Sequence, residues 1–314
     1  MKLISFIFSF KNEEKNITEL VERVHQTITK IQNYNYELIF VNDNSNDNSE
    51  EILLKLQNLH PIKIVNMTRT FGVGPCVLAG FKEAKGDCIV YMDSDLQDPP
   101  EIVEKLIIEH EKGFDVVHTV RTNRLGESRL KLFVTKIAYK VINLLSDIQL
   151  PIEAGDFKLI SRRALDKIIS QNEFRPYIRG LSVWVGYKQS FVNYVRDPRS
   201  TGETKFPLLS HGPITQFISG ITAYSLKPLY LGIILGFVSL IFSVCLIIYA
   251  LYMKFANLAV PGTASIIITV SFFSGILLFT LGIMGIYLAR IFEEVRGRDK
   301  YIIKDIKDFK TKRE

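Results

Sequence analysis

Two aspartates one residue apart, Asp93 and Asp95, sit in the run Tyr91-Met92-Asp93-Ser94-Asp95-Leu96-Gln97-Asp98-Pro99-Pro100-Glu101. Alternate side chains of an extended stretch share a face, so both carboxylates can reach one cation. Mg2+ typically takes one or two carboxylates together with phosphate oxygens, a combination that suits a nucleotide diphosphate. Gln97, two residues further on, is a candidate third ligand. An Asp-x-Asp pair is common, and two acids can equally be a solvated loop. Here the pair follows an apolar burst and precedes a helix start, which favours the metal. That helix start is read from Asp98 as N-cap, Pro99 where a missing N–H is harmless, and Glu101 at the third helical position of a capping box. For Asp98 and Glu101 the expectation is therefore structural.

Other chemistry is excluded or demoted by spacing. The three cysteines, Cys76, Cys88 and Cys245, show no CxxC or Cys/His pattern and read as small core residues of a reducing compartment. The five histidines, His25, His60, His110, His118 and His211, are not paired at ligand spacing and read as structural or surface groups. The single tryptophan, Trp184, reads as a core or interface anchor.

The elements that must position the aspartates are legible as periodicities. Residues 2–10, 37–42, 62–66 and 88–92 are short bursts rich in Ile, Val and Phe, the pattern of buried parallel strands. Between them, Asn16 to Ile31 and Ser49 to Leu59 carry apolar residues at helical spacing. Strand, helix, strand, helix is the signature of a doubly wound α/β sheet, and such sheets bind ligands beyond the carboxyl ends of their strands. Those ends carry Asn12-Glu13, Asn42-Asp43-Asn44-Ser45 and Asp93-Ser94-Asp95. The N-terminus has no cleavable small-residue site after its apolar run, so it reads as a first strand rather than a signal peptide.

The second half is different in kind. Leu229 to Tyr252 and Ile266 to Ala289 are each uncharged and apolar over about the ~20 residues that a bilayer span needs. From Arg290 onward the chain holds nine of its 39 Lys and Arg, and Lys205 and Lys227 precede the first span, whereas only Lys254 charges the connection between the spans. By the positive-inside rule both termini face the cytosol. Ile214 to Leu226 mixes apolar and polar residues at roughly helical spacing, as in a helix lying in the membrane interface. Glycines at 232, 236, 275, 282 and 285 fall within the spans, and Gly282 with Gly285 would let backbones approach closely, within a protomer or between protomers. The expected organisation is a cytosolic α/β domain over 1–210, an interfacial helix over 211–227, two spans over 228–289 and a basic cytosolic tail over 290–314.

Asn12-Glu13-Glu14, Asp43 to Asp47, the MDSDLQDPPE block, Gly155-Asp156-Phe157 and Gly202-Glu203-Thr204-Lys205 occur in the order seen in family-2 glycosyltransferases. More narrowly, the chain resembles bacterial bactoprenol-phosphate glycosyltransferases and is similar to dolichol-phosphate mannose synthase in its catalytic domain. The resemblance covers nearly the whole chain, spans and tail included. It implies a Rossmann-like GT-A fold and a hexose moved with inversion from a nucleotide sugar, UDP-glucose as first choice, to undecaprenyl or another polyprenyl phosphate for cell-envelope glycan modification such as that of O-antigen.

Residue by residue, the resemblance implies that Ser9, Asn12, Glu13 and Asp43 hold base and ribose. It implies that Asp93 and Asp95 hold Mg2+ or Mn2+ on the diphosphate, with Gln97 remaining the candidate third ligand from its position alone, and that Arg199 and Lys205 close on that diphosphate. Arg121, Lys131 and Thr135 match positions that grip the lipid phosphate, and Asp156 matches the acid usually named as base. The implied partners are a nucleotide sugar, polyprenyl phosphate, membrane lipid, further copies of the chain in a tetramer and a lipid-linked-sugar flippase, with no nucleic acid. The implied location is the bacterial cytoplasmic membrane.

The chain departs from the family at Ser9, usually Pro; at Lys11, usually aromatic; at Asn42, usually Asp; and at Phe71-Gly72-Val73-Gly74, where a Lys is usual. These put base and sugar specificity in question rather than reaction type.

The proton bookkeeping of such a transfer is unusual. A phosphate monoester has a second pKa of about 6, so near neutral pH the attacking oxygen is already largely ionised and Asp156 has little proton to remove. Two anions must instead approach each other, which requires cations, and Arg121, Lys131, Arg175, Arg179, Arg199 and Lys205 are the supply. Two other readings compete with this one. A non-catalytic membrane scaffold is motivated by Ser9, Asn42 and Val73 but opposed by the intact Asp93, Asp95 and Asp156. A processive synthase is opposed by the absence of a Gln-x-x-Arg-Trp motif and by having only two spans.

Overall fold

The structure, a computed structural model, describes residues 1–124, 140–149, 151, 154–171, 173–196, 218–256 and 262–309. It divides into two compact units: Met1–Leu144, Ile148–Gly220 and Arg298–Glu314 form the first, Leu145–Asp147 and Ile221–Gly297 the second.

The apolar bursts form β1 (Lys2–Phe10), β2 (Tyr34–Asn42), β3 (Ile62–Met67) and β4 (Cys88–Tyr91). Their central residues are buried on both faces, as all-parallel strands covered by helices must be. The covering helices here are α1 (Ile17–Ile28), α2 (Ser49–Leu56) and α3 (Val73–Glu83), followed by α4 (Val103–Glu111). In α1 the buried Ile17, Leu20, Val21, Val24 and Ile28 make the apolar stripe predicted from spacing. Phe8 and Phe40 stack at 4.6 Å in the core beneath it.

The chain continues through β5 (Val116–Arg124), β6 (Ala154–Ser161), α5 (Arg162–Ser170), α6 (Ile178–Trp184) and β7 (Gln189–Arg196). The eight-stranded sheet has the order β7-β5-β6-β4-β1-β2-β3-β8. β1 pairs in parallel with both β2 and β4, so the strand order reverses between β1 and β4. That reversal point, at the carboxyl ends of the two strands, is where doubly wound sheets hold ligands. β6 runs antiparallel between β4 and β5, making the sheet mixed rather than all parallel.

The capping-box expectation is overturned. The turn before α4 is a 3-10 turn, Pro100–Ile102, with Pro99 at its N-cap and no side-chain cap bond. Glu101 reaches away to Arg23, with Nε to Oε1 at 3.0 Å and Nη2 to Oε2 at 2.8 Å. Asp98 is fully buried among guanidinium and phenol donors, which bind a carboxylate more strongly than one amide would.

The second unit contains α7 (Lys227–Phe255) and α8 (Thr263–Val295), whose apolar segments have mean hydropathy 2.9 and 2.0. Both are long and apolar enough to cross a membrane. Their surfaces are apolar almost all round yet exposed, the opposite of a soluble core helix. Cys245 lies exposed on α7 for this reason, whereas Cys76 and Cys88 are core residues as read. The two helices touch through Phe242 and Phe272, 5.7 Å apart, and through Gly232, where an added Cβ would come 2.9 Å from Thr280 Cγ2. Close approach within the chain thus falls on Gly232; a Cβ at Gly282 or Gly285 would meet nothing within 4 Å. Of the expected interfacial segment, residues 218–222 are helical, and Ile221 and Tyr224 are buried.

After α8 the chain does not remain a tail. Ile303–Lys307 forms β8, antiparallel on the outer edge of β3. Asn66 donates to Asp305 at 2.8 Å, Lys307 donates to Glu50 at 2.6 Å and Gln57 donates to the Lys307 carbonyl at 3.0 Å. The first unit is therefore built from sequence on both sides of the two long helices.

Candidate active site

The carboxyl ends of β1, β2 and β3 are laced together by side-chain-to-backbone bonds. Asn12 and Asn44 take left-handed backbone conformations, φ 56° and 58°, which short amide side chains tolerate. Asn12 N–H donates to Ser45 Oγ at 3.0 Å, and Asn46 N–H donates back to Asn12 Oδ1 at 2.8 Å. Glu13 N–H donates to Ser49 Oγ at 3.0 Å, and the Glu13 carboxylate accepts from Asn16 at 2.7 Å. Asp43 accepts from the amides of Phe71 at 2.6 Å and Gly72 at 3.1 Å. The residues expected at the nucleoside lie past the carboxyl ends of β1 and β2, and their side chains shape the surrounding loops. Ser9 contributes its carbonyl, which accepts from Ser94 Oγ at 3.3 Å and ties β1 to the aspartate loop. Asn42, in place of the usual acid, donates to Asn66 at 3.0 Å and so joins the network that reaches β8.

Beyond β4, Asp93 and Asp95 are partly exposed while Ser94 and Leu96 are buried between them, the alternation expected of an extended stretch. Leu96 has φ 58°, a left-handed conformation that a branched residue rarely adopts and that turns the chain there. Gln97 donates its N–H to Asp95 Oδ1 at 3.2 Å. Burial, together with the charges of Asp156, Asp98 and Asp95, pushes the Asp93 carboxyl up to about 7. A partly exposed carboxylate crowded by three others is a place where a divalent cation fits. Among the described residues no three His, Cys, Asp or Glu side chains form a metal-holding group. Asp93 and Asp95 are the carboxylates that could hold a cation here, with phosphate oxygens and water as its other ligands.

On the neighbouring strand, Asp156 is held by Arg179 of α6 in a two-bond fork, Nε to Oδ1 at 2.7 Å and Nη2 to Oδ2 at 2.6 Å. Burial alone would raise Asp156, but the Arg179 guanidinium, aided by Lys158 and Arg121, holds it well below the usual carboxylate range. Asp156 is thus an ionised carboxylate at any pH near neutral.

Arg121 on β5 packs flat over Gly155, where an added Cβ would lie 2.8 Å from Nη2. The glycine of the Gly155-Asp156-Phe157 run is therefore the floor for a guanidinium. Arg121 Nε donates to Tyr194 Oη at 3.0 Å and Nη2 lies 3.5 Å from Asp98 Oδ2. The Tyr194 hydroxyl donates to Asp98 Oδ1, to which Arg196 Nε also donates at 3.1 Å. Burial opposes the charge on Arg121, yet Asp98 and Tyr194 hold it firmly protonated.

Arg121, expected at the lipid phosphate, lies over Gly155, next to Asp156 in the chain, and is anchored to Asp98. Lys131, Thr135, Arg199 and Lys205 lie outside the described residues. The sequence singled out Arg179 only as one available cation and Asp98 only as a helix cap, and it did not single out Tyr194, Arg196 and Lys158; the fold brings Asp98, Tyr194, Arg196 and Lys158 beside Arg121 and Asp156. A usable signal existed for Lys158, which stands two residues after Asp156 in a strand and so shares its face. Trp184, at the end of α6, is half exposed and is not a core residue.

The sequence model described as "Glycosyl transferase family 2" matches residues 5–169. An uncharacterised glycosyltransferase of Bacillus subtilis, YkcC, is 38% identical over 98% of this chain and 95% of its own length. A prophage bactoprenol glucosyl transferase homolog of Escherichia coli is 34% identical over 97% of this chain and 99% of its own. Among solved structures, glucosyl-3-phosphoglycerate synthase from Mycobacterium tuberculosis, in complex with Mn2+, UDP-glucose and phosphoglyceric acid, superposes with a TM-score of 0.50 at 19% identity. It covers 70% of this chain and 80% of that one, and shows the shared GT-A fold.

Proposed function

We propose that this chain, which belongs to glycosyl transferase family 2 and is a glycosyltransferase, moves a hexose from a nucleoside-diphosphate sugar to the phosphate of a polyprenyl phosphate at the cytosolic membrane face. The donor is UDP-glucose, the acceptor undecaprenyl phosphate, and the anomeric carbon inverts. The relative's name, bactoprenol glucosyl transferase, supports both acceptor and sugar, and the two apolar helices give a lipid-linked acceptor a membrane to reside in. The observation that carries the reading is geometric: Tyr91 of β4 pairs with Lys158 of the antiparallel neighbour β6, so Asp93, just past β4, comes beside the Arg179-bound Asp156.

In this reading one acceptor phosphate oxygen forms a bond to the anomeric carbon as the bond from that carbon to the donor diphosphate breaks. Asp93 and Asp95, with Gln97 beside them, would hold Mg2+ or Mn2+, which supplies positive charge to the departing diphosphate. The Mn2+ in the Mycobacterium tuberculosis complex supports a divalent ion in this fold. Ser9, Asn12, Glu13 and Asp43 frame the nucleoside through the loops they tie. Arg121, Lys131 and Thr135 receive the lipid phosphate, and Arg199 and Lys205 close over the diphosphate. Asp156, pinned as an anion, stabilises positive charge developing at the anomeric carbon and orients the reactants; the acceptor ionises without its help.

The chain leaves the first unit into α7 and re-enters it after α8 at β8, which supports a hairpin of two spans with both termini on one side. The Lys and Arg asymmetry favours the cytosol for that side. A homo-oligomer, and a flippase that carries the product outward for envelope glycan modification, are the partners this reading implies. Incubating purified protein with Mn2+, undecaprenyl phosphate and a panel of radiolabelled nucleotide sugars tests it. Label should enter the lipid fraction from UDP-glucose; label from no sugar in the panel would overturn the reading.

A further inference from the structure

Lys158 is among the most deeply buried side chains of the molecule, with 1% of its surface exposed. Its ammonium makes one hydrogen bond among the described residues, to Ser182 Oγ at 3.2 Å. An ammonium so placed is expensive to bury, and a methionine of similar length would fill the same space without that penalty.

Its surroundings show what the charge acts on. Lys158 stands two residues after Asp156 in β6 and therefore on the same face of the sheet. Across the sheet it is level with Tyr91 of β4 and His118 of β5. Burial and the nearby Lys158 charge hold His118 down to about 3, so it stays neutral and does not compete. From α6 the facing groups are Ser182 and Arg179. Ser182 Oγ accepts from Lys158 and donates to the Arg179 carbonyl at 2.9 Å, so Lys158 is tied to the backbone of the residue that grips Asp156.

We propose that Lys158 is a positioning residue for the transfer. It holds Arg179 onto Asp156 through Ser182 and supplies the second buried positive charge that keeps the Asp156, Arg179 and Lys158 group net cationic toward the arriving acceptor phosphate. Within that group one carboxylate faces two cations; of the other charges nearby, Arg121 is paired with Asp98, and Asp93 and Asp95 are the carboxylates that would hold the divalent ion, so the Lys158 charge is the one left to act on a phosphate without touching it. Burial, partly offset by Asp156, lowers the Lys158 ammonium to about 8. The excess charge is present below that pH and is lost as pH rises through it. This inference rests on Asp156 standing at the reacting centre, as proposed above.

The test uses the full-length protein in detergent, with Mn2+, undecaprenyl phosphate and the nucleotide sugar that the panel identifies. Rates are followed from pH 6 to about pH 10, past the ~8 to which burial brings the lysine. Lys158→Met should lower kcat by roughly 10-fold or more and weaken the apparent affinity for undecaprenyl phosphate more than that for the donor. Lys158→Arg keeps a charge that does not titrate in this range, so it should restore most of kcat and move the alkaline limb upward by a unit or more. Lys158→Met with parental kcat, or Lys158→Arg with an unmoved alkaline limb, would overturn the inference. Because Lys158→Met can fail to fold, the Lys158→Arg limb decides alone if the methionine variant melts early. Asp156→Asn run alongside separates the two readings. An inactive Asp156→Asn with indifferent Lys158 variants removes this inference only, whereas an active Asp156→Asn removes the reading beneath it.

Discussion

Arg179 grips Asp156 with both arms of its guanidinium, Nε to Oδ1 at 2.7 Å and Nη2 to Oδ2 at 2.6 Å. A carboxylate held this way and kept well below its usual range is a poor proton acceptor. The acid limb of the pH profile should therefore report the acceptor phosphate, whose second pKa is about 6, and not Asp156. Asp156→Asn is expected to lose roughly 10³-fold in single-turnover rate, nearly constant from about pH 6.5 upward. Recovery of the variant toward the parental rate at the alkaline end would restore a general-base role.

Asp93 carries the opposite shift, raised from 3.8 to about 7. Between those values the metal-free fold holds a proton that the unfolded chain has lost, so stability falls as pH rises through the window and is lowest above it. Asp93→Asn should raise the Tm of the metal-free protein at pH 8 by at least ~2 °C while abolishing transfer. Mn2+ should raise the Tm of the parent and leave the variant unmoved. Identical melting of the two proteins, with and without Mn2+, would show that no cation binds at Asp93.

Gly155 is the floor under Arg121, and a Cβ there would lie 2.8 Å from Nη2. An exposed arginine would swing aside, but this one is tied to Tyr194 and Asp98. Gly155→Ala is expected to cost about 1–3 kcal/mol by overpacking and to lower transfer by displacing the guanidinium. Parental Tm and parental activity together would mean that Arg121 moves freely.

The last strand should matter to the first unit although 236 residues separate the ends of β3 and the start of β8 by number, 67 against 303. Truncation after Gly297 exposes the β3 edge and removes the Lys307 carbonyl that accepts from Gln57 and the Lys307 ammonium that donates to Glu50. The truncated protein is expected to melt earlier and to aggregate. Asp305→Ala alone should cost about 1 kcal/mol, since Asn66 also donates to Glu50. A truncation with unchanged melting would show that β8 adds nothing to the sheet.

Topology is checked by cysteine labelling in intact cells. A cysteine at Asn257 should react with an impermeant reagent and one at Lys310 should not; the reverse pattern would sink the two-span hairpin with cytosolic termini.

The reach of each interaction along the chain separates what was legible from what was not. The first four strands, the helices after the first two of them and the two long apolar helices were legible, because periodicity and composition act within a few residues, whereas α3, Val73–Glu83, was not read. Asp98 was misread for the same reason. Pro99, Pro100 and Glu101 make a good local capping signal, but Tyr194 lies 96 residues away and binds the carboxylate more strongly than any nearby amide could. The partner of Asp156 is 23 residues distant, that of Lys158 is 24, and Asp305 meets Asn66 across 239. Nothing in the sequence ranks one arginine above another as the partner of a given acid. By itself the sequence determined the parallel strands, the first two helices and two segments long and apolar enough to cross a membrane. Only the tertiary structure decided which charges pair, because in a buried setting the nearest opposite charge prevails, and nearness there is set by the sheet and not by the chain.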